Sequence, residues 1–499
     1  MTAIRKDIAR LGAVWNPTAL WYAKAVAALS TKPINDRTSW RYLGAIHGVD
    51  LSPNGWVGHG LIKVTDSLPP TQEQDSMWDQ CQHASWYFLP WHRGYLNAFE
   101  AIVAKAISDL GGPADWTLPY WNYFDTSNPA SRQFPQAFVE PTLPDGSINP
   151  LLSPNRTAGQ VLGPVPAIGL PDITSAAISR TRFTRVPGIG GFGGSPSGFA
   201  QFAPNGGAGA LESDPHNLVH VMVGGVGANP GYMSDPDYAA LDPLFWLHHC
   251  NIDRLWAAWL TQSGNTQENS ANWRGGPTPR QFQMPRPDGT LMVFLPSQTL
   301  PGEELAPDYD DLTAGTGLPV AVGAQTAATH ISAKESKMPA SLSDSPVPLP
   351  QLRGSNQQAL TISATPGLTR IRLAPSNATP ASAEAERLYL TLENVRGVAP
   401  SGVLSVYVGL PAGGQAPTAP AALAQTVALF GLAKASRVTS AHAGNGLSLS
   451  IDITDLARSL AIASQSALAE LEVRIEQPGQ SNTGSITVDK VSVVSQAAD

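Results

Sequence analysis

The chain has 499 residues, of which 42% are apolar and 14% charged, and its formal net charge is -8. This composition is too apolar and too sparsely charged for wholesale disorder, and the length allows about two to four domains. A negative balance without a basic block argues against nucleic-acid binding, two cysteines cannot make a disulfide framework, and no apolar run approaches the roughly 18–20 residues of a membrane helix.

Met1 to Leu11 carries Arg5, Lys6, Asp7 and Arg10 with no uninterrupted apolar segment behind them. No secretory leader is readable there. The expectation is a soluble protein, cytoplasmic as written, or secreted or periplasmic if a leader was removed. Further along, TALWYAKAVAALS sets Leu20, Trp21, Ala25, Ala28 and Leu29 at helical spacing. RGYLNAFEAIVAKAISDLGG puts Tyr95, Leu96, Phe99, Ile102, Val103 and Ile107 on one broad face and stops at Gly111-Gly112. Residues 126–210 are rich in Gly and Pro and read as loops over the surface. DPHNLVHVMVGG and DPLFWLHHCNIDRLWAAWLTQSG each open on Asp-Pro, an N-cap followed by proline at the first helical position.

All thirteen tryptophans lie between Trp15 and Trp273, and eight of the ten histidines lie between His47 and His249. One uniform domain would not divide them so. The reading is multidomain: a mainly α N-terminal domain over 1–300, a linker or packed arm over 301–358, and an all-β domain over 359–499. The middle stretch is rich in Pro, Ser and Gly. In the last, runs such as QQALTISA, RLYLTLENV, VLSVYVGL, TVALFGL, LSLSIDI, ELEVRIEQ and SITVDKVSVV are separated by turns, and many alternate apolar and polar residues. That predicts an antiparallel sandwich or barrel, with TDLARSLAIAS as a short inserted helix.

The histidines carry the chemistry. His216 and His220 are four apart, so on a helix both imidazoles share one face and can share one metal ion. His83 and His92 flank the apolar run ASWYFLPW, and His248 and His249 lie in an equally apolar segment. Burying such groups without partners costs roughly 1–3 kcal/mol each, and a metal satisfies them together. No Glu or Asp repeats with the histidines as in a carboxylate di-iron bundle. An all-imidazole set suits copper or zinc. Six ligands are too many for one zinc and right for two copper ions with three each.

At this point a resemblance enters. His83, Phe88, Trp91, His92, Arg93, Leu96 and Glu100 resemble the first copper motif of the tyrosinase and polyphenol oxidase family. Asp242, Phe245, Trp246, His249 and Asp253 resemble the second. The likeness covers roughly residues 15–300, and LSLSIDITDLARSL and ITVDKVSVV resemble the β-rich C-terminal domain of plant-type members. It implies a dicopper centre in a four-helix bundle, with O2 as co-substrate. Copper A would take His47, His83 and His92, His47 being favoured over His59 for its Ile-His-Gly context. Copper B would take His216, His220 and His249, while His248 matches a non-ligand position pointing elsewhere. The spacing of Cys81 to His83 resembles that of members with a thioether between the two, and Cys250 reads as core. Arg93, Glu100, Asp253 and Arg254 are expected to pair across the bundle.

For the reaction, the resemblance implies that Glu212 and Asn217 hold a water able to take a phenol's proton. Glu212 could instead cap the following helix. Pro236 falls at a gate position over copper A. Phe430, in TVALFGLAKAS, is a candidate for the apolar side chain with which some members' C-terminal domains cover the site. The implied activity is ortho-hydroxylation of monophenols and oxidation of ortho-diphenols to ortho-quinones, latent until that domain is displaced. The alternatives are a catechol oxidase accepting diphenols only, an ortho-aminophenol oxidase, and a haemocyanin-like oxygen carrier. The implied partner is a small phenolic substrate. A homo-oligomer and a copper chaperone are compatible with the sequence, which identifies neither.

Overall fold

The computed structural model describes residues 4–153, 156, 173–184, 191–203, 206–226, 230–313, 349–350, 352–375, 384–385, 387–399, 401–411, 421–438, 444–464, 468–478 and 484–496. Most of the stretch expected as a linker, 314–348, lies outside these residues.

The N-terminal domain is helical. Helix α1 (Pro17–Ser30) starts at Asn16, whose side chain accepts from the Ala19 amide, with Pro17 in the first turn. Helix α2 (Trp40–His47) is capped by Ser39. A short α3 (Thr71–Met77) precedes the long α4 (Phe88–Asp109). Helices α5 (Leu218–Gly224), α6 (Pro243–Leu260) and α7 (Ala271–Gly275) complete the domain. Asp242 caps α6 as expected, accepting from the Leu244 amide.

Helix α6 is buried on almost every face, the mark of a core helix rather than an amphipathic one. It packs on α4, which also packs on α1. Phe99 and Trp246 stack with centroids 3.4 Å apart and planes 6° from parallel. Buried charges lock the bundle. Arg93 donates to Asp253 at 2.6 Å, and Arg5 donates to Glu100 at 2.6 Å and to Asp253 at 3.4 Å. Arg254 donates to Asn251 and Asn122 at 3.0 Å each. Of the expected pairs, Arg93–Asp253 forms, whereas Glu100 pairs with Arg5.

Two local expectations are corrected. Residues 126–210 do not only run over the surface. Phe134, Phe138, Phe183 and Phe192 are buried, and Phe192 stacks on Trp259 at 4.5 Å, because these aromatics gain more from burial than the loop loses in freedom. The DPHNLVH helix begins later than Pro215. Asp214 is extended (φ -149°, ψ 120°), residues Glu212–Asn217 form a widened turn, and regular helix starts at Leu218.

The C-terminal domain packs two antiparallel sheets around one apolar core. One sheet orders Leu447–Asp452, Arg387–Arg396, Ile486–Gln496, Leu352–Ser355 and Ala374–Pro375, with Leu360–Ile362 also pairing Ile486–Gln496. The other orders Ala422–Ala428, Val403–Gly409, Glu470–Glu476 and Gly367–Arg372. The sandwich takes in Leu352–Ser355, ahead of residue 359. Helices α8 (Leu432–Ser436) and α9 (Thr454–Ser464) are inserted in it, α9 where the sequence placed a helix. The two domains touch directly. Val403, Ala428 and Phe430 belong to the aromatic core of the N-terminal domain, and Arg180 donates to Asp452 at 2.9 Å and Tyr389 at 2.7 Å.

Candidate metal centre

Two histidine clusters meet inside the bundle. In the first, ligand atoms of His47, Cys81, His83 and His92 all lie within 4.8 Å of one another. In the second, the same holds for His216, His220, His248 and His249. His47 ends α2, His92 lies one turn into α4, His220 is in α5 and His249 in α6. His92 and His249 stack at 4.3 Å and 16°, joining the clusters.

Backbone and amide groups aim these rings. Nδ1 of His47 bonds the Pro236 carbonyl at 2.9 Å, that of His92 the Phe88 carbonyl at 2.8 Å, and that of His220 the Met233 carbonyl at 2.8 Å. His216 Nδ1 bonds Asn217 Oδ1 at 2.8 Å. A carbonyl partner fixes the proton on Nδ1 and leaves the lone pair on Nε2. Accordingly, Nε2 of His216 and of His220 each lie 3.2 Å from Nε2 of His249, and His47 Nε2 is buried with no partner. Converging lone pairs repel unless a cation sits among them.

Burial holds every one of these imidazoles in its neutral form, with His47 and His216 pushed down to about 3 and His83, His92, His220 and His249 well below the ordinary value. Neutral imidazole is the metal-binding form. A set of nitrogens without carboxylates fits copper better than magnesium, calcium or manganese, so the residues present fit two copper ions. His248 does not turn fully away. Its ring lies 5.4 Å from His216 at 20°, and its Nδ1 is 3.3 Å from the Tyr123 hydroxyl. His59 is exposed on a loop, away from either cluster.

Cys81 Sγ is 3.5 and 3.6 Å from the two ring nitrogens of His83, nearly equidistant, and 3.4 Å from His92 Nε2. Glu212 reaches across from the copper B segment, and its Oε1 accepts from the Ala84 amide at 2.8 Å, next to His83. Its Oε2 is buried with no partner, and burial pushes the carboxyl up to about 8.

Pro236 serves the site through its backbone carbonyl, which orients His47. Two aromatic rings pack against the first histidine cluster: Phe245, 4.9 Å from His47, and Phe202, stacked on His83 at 4.8 Å and 15°. Phe430 reaches in from the C-terminal domain. It stacks on His220 at 4.2 Å and 19° and lies 5.6 Å from His83 and 5.9 Å from His216, edge-on to both. Gly431 follows with φ +77°, and a Cβ there would lie 2.1 Å from the Phe202 ring. The turn is therefore built on glycine. Sequence reasoning missed Phe202, and its FAPNGG context offers no periodic signal.

Residues 37–262 match the family model described as the common central domain of tyrosinase. The chain carries a tyrosinase central domain. All six expected ligands lie within it. Residues 350–496 match a second model, a domain of unknown function (DUF7868). Tyrosinase HcTyr1 of Hahella sp. (strain CCB-MM4) is 42% identical over 267 residues, 52% of this chain and 54% of that protein. The chain spans about half the length of the curated relatives it matches. Latent aurone synthase (polyphenol oxidase), recombinantly expressed, shares the fold with a TM-score of 0.61 at 16% identity, over 100% of this chain and 90% of that one. Latent apple tyrosinase does so with a TM-score of 0.58 at 19% identity, over 99% and 97%.

Among the described residues, no helix is long and apolar enough to cross a membrane.

Proposed function

We propose that the protein hydroxylates monophenols at the ortho position and oxidises ortho-diphenols to ortho-quinones, and that Phe430 keeps it latent. His47, His83 and His92 would hold one copper ion, and His216, His220 and His249 the other. Bound there, the pair supplies O2 binding and the redox change.

The observation that carries the hydroxylation reading is the unpartnered Oε2 of Glu212, beside both copper segments. A free phenol has a pKa of about 10, so it needs a base near neutral pH. Glu212, with Asn217 on the adjacent ligand, is the buried acid placed to accept that proton through a water. Phe430 lies against ligands of both trios, which supports the reading that it holds the place of a substrate ring. The names of the latent polyphenol oxidases that share the fold agree with a covered site. The geometry of Cys81 also supports a thioether to His83, since a sulfur equidistant from both ring nitrogens can face the carbon between them.

The test is a copper-loaded full chain, opened by detergent or by Phe430→Ala, given a monophenol without diphenol primer. Quinone formation supports the reading. Quinone from diphenol alone makes it a catechol oxidase. Reversible O2 binding without quinone makes it a carrier.

A further inference from the structure

Four residues after Phe430, the same turn drives a second side chain into the tyrosinase domain. Lys434 is buried, and its ammonium bonds Asp79 Oδ1 at 2.8 Å and also Asp237 Oδ1. Asp237 is 1% exposed, and its Oδ2 has no hydrogen-bond partner. Arg437, on the same segment, sits 3.6 Å from Asp237 and 3.6 Å from Asp50. Asp235 is half-buried close by and feels both cations.

The signs are divided by domain. Asp50, Asp79, Asp235 and Asp237 all belong to the tyrosinase domain, whereas Lys434 and Arg437 belong to the C-terminal domain. The tyrosinase domain's own nearby cation, Arg280, acts on Asp79 electrostatically while its guanidinium donates to the carbonyls of Ser76 and Trp78. Withdrawal of the turn therefore uncovers two adjoining vacancies, an aromatic slot over the histidines and a carboxylate pocket from which an ammonium has just left. Asp79 is already 40% exposed at its side chain, so that pocket has an open side.

We propose that the Asp79–Asp237 pocket is a cation subsite for substrate, and that the open enzyme favours phenols whose ring substituent ends in an ammonium or guanidinium group. The ring takes the place of Phe430 and the cation that of Lys434. This rests on the reading that Phe430 occupies the place of the substrate ring, and it adds the substrate's charge. A buried carboxylate such as Asp237 left without a cation is costly, and a cationic substrate restores what the C-terminal domain removes.

The test uses the full-length, copper-loaded Phe430→Ala/Lys434→Ala variant, with phenylalkylammonium ions of graded chain length and the matching neutral phenylalkanols as probes. None carries a phenolic hydroxyl, so calorimetric binding is read without turnover. The best ammonium is expected to bind at least about tenfold tighter than its alcohol, a preference lost on adding Asp237→Asn. If alcohol and ammonium bind alike, the ring site stands and the cation subsite falls. If neither binds, the ring site falls and takes the inference with it. Should the double variant not fold, Asp79→Asn in the detergent-opened wild-type chain carries the test, since an asparagine keeps the acceptor for the Val49 amide. The kcat/KM ratio of an ammonium-tailed to a hydroxyl-tailed phenol is expected to drop severalfold. An unchanged ratio overturns the proposal.

Discussion

Phe430→Ala is the perturbation that separates a covered enzyme from an open one. The ring is 1% exposed and packs against His220, His83 and His216. Truncating a buried Phe to Ala costs roughly 3–5 kcal/mol. The lower end applies here, because part of the ring's surroundings is imidazole rather than hydrocarbon. Since this contact lies between domains, the loss weakens docking more than the folding of either domain. At about 1.4 kcal/mol per decade, a loss of about 3 kcal/mol raises the open fraction roughly 100-fold. The vacated slot also admits a small phenol while the domain stays in place. The assay is the initial rate of ortho-diphenol oxidation by the copper-loaded full chain with no activator. The expected result is a rise of at least tenfold at unchanged copper content. A rate equal to wild type, with the variant folded and copper-loaded, refutes the role assigned to the ring.

Glu212→Gln keeps the volume and the bond to the Ala84 amide but removes the base. It is expected to cut monophenol turnover by about 10²–10⁴ while diphenol oxidation falls less than about tenfold, measured with matched substrates on the opened chain. In the metal-free protein the same variant has a pH signature. The Glu212 carboxyl is pushed up to about 8 from an ordinary 4.5, so its stabilising proton is fully held below the ordinary value and lost as pH rises through about 8. Wild type minus Glu212→Gln stability should therefore fall across that window by up to about 1.4 kcal/mol per pH unit, read by denaturant titration at several pH values. A flat difference contradicts the burial argument. His220→Ala is expected to lower copper from about two to about one per chain, by elemental analysis, if three imidazoles hold each ion. For Cys81, mass spectrometry of a digest of copper-exposed protein should find the single peptide that carries both Cys81 and His83 two hydrogens lighter, with a fragmentation gap between the two residues, and Cys81→Ala should abolish the species.

The parts legible in the sequence are those with a local pattern. His216 and His220 announce themselves by spacing, α6 by its Asp-Pro opening, and the strands of the sandwich by alternation. Choosing His47 over His59 needed the resemblance, because a histidine ending a short helix has no periodic partner. The contacts that join the domains were harder to read. Lys434 meets Asp79 and Asp237 across 355 and 197 residues of chain, and single charges at such separation leave no trace in composition or period. Arg5 was hidden for a similar reason. A short charged N-terminus looks like a frayed end, yet here it pairs in parallel with Asp308–Tyr309 and buries its guanidinium against Glu100 and Asp253. Gly431 shows why the Phe430 turn could be guessed but not placed. Its positive φ and its closeness to Phe202 are facts of tertiary packing.

The electrostatics of the site tie metal loading to the base. Neither trio contains a carboxylate, so charge brought in by two copper ions is balanced by groups around the imidazoles rather than among them. Glu212 is well placed to do so, since it is fully buried, bonds the amide beside His83, and precedes His216 by one turn of chain. Without a cation nearby, desolvation dominates and the carboxyl keeps its proton near neutral pH. Positive charge in the trios would oppose that preference, because a neighbouring cation favours the ionised carboxylate. On the proposed reading, Glu212 would give up its proton more readily once the metal site is filled, and the base would then be available in a chain that already holds the ions it serves. The partnerless Oε2 follows from the same logic. An oxygen satisfied by a protein donor would be a poorer acceptor, and leaving it bare costs less while the metal-free carboxyl stays protonated than it would as a buried charge.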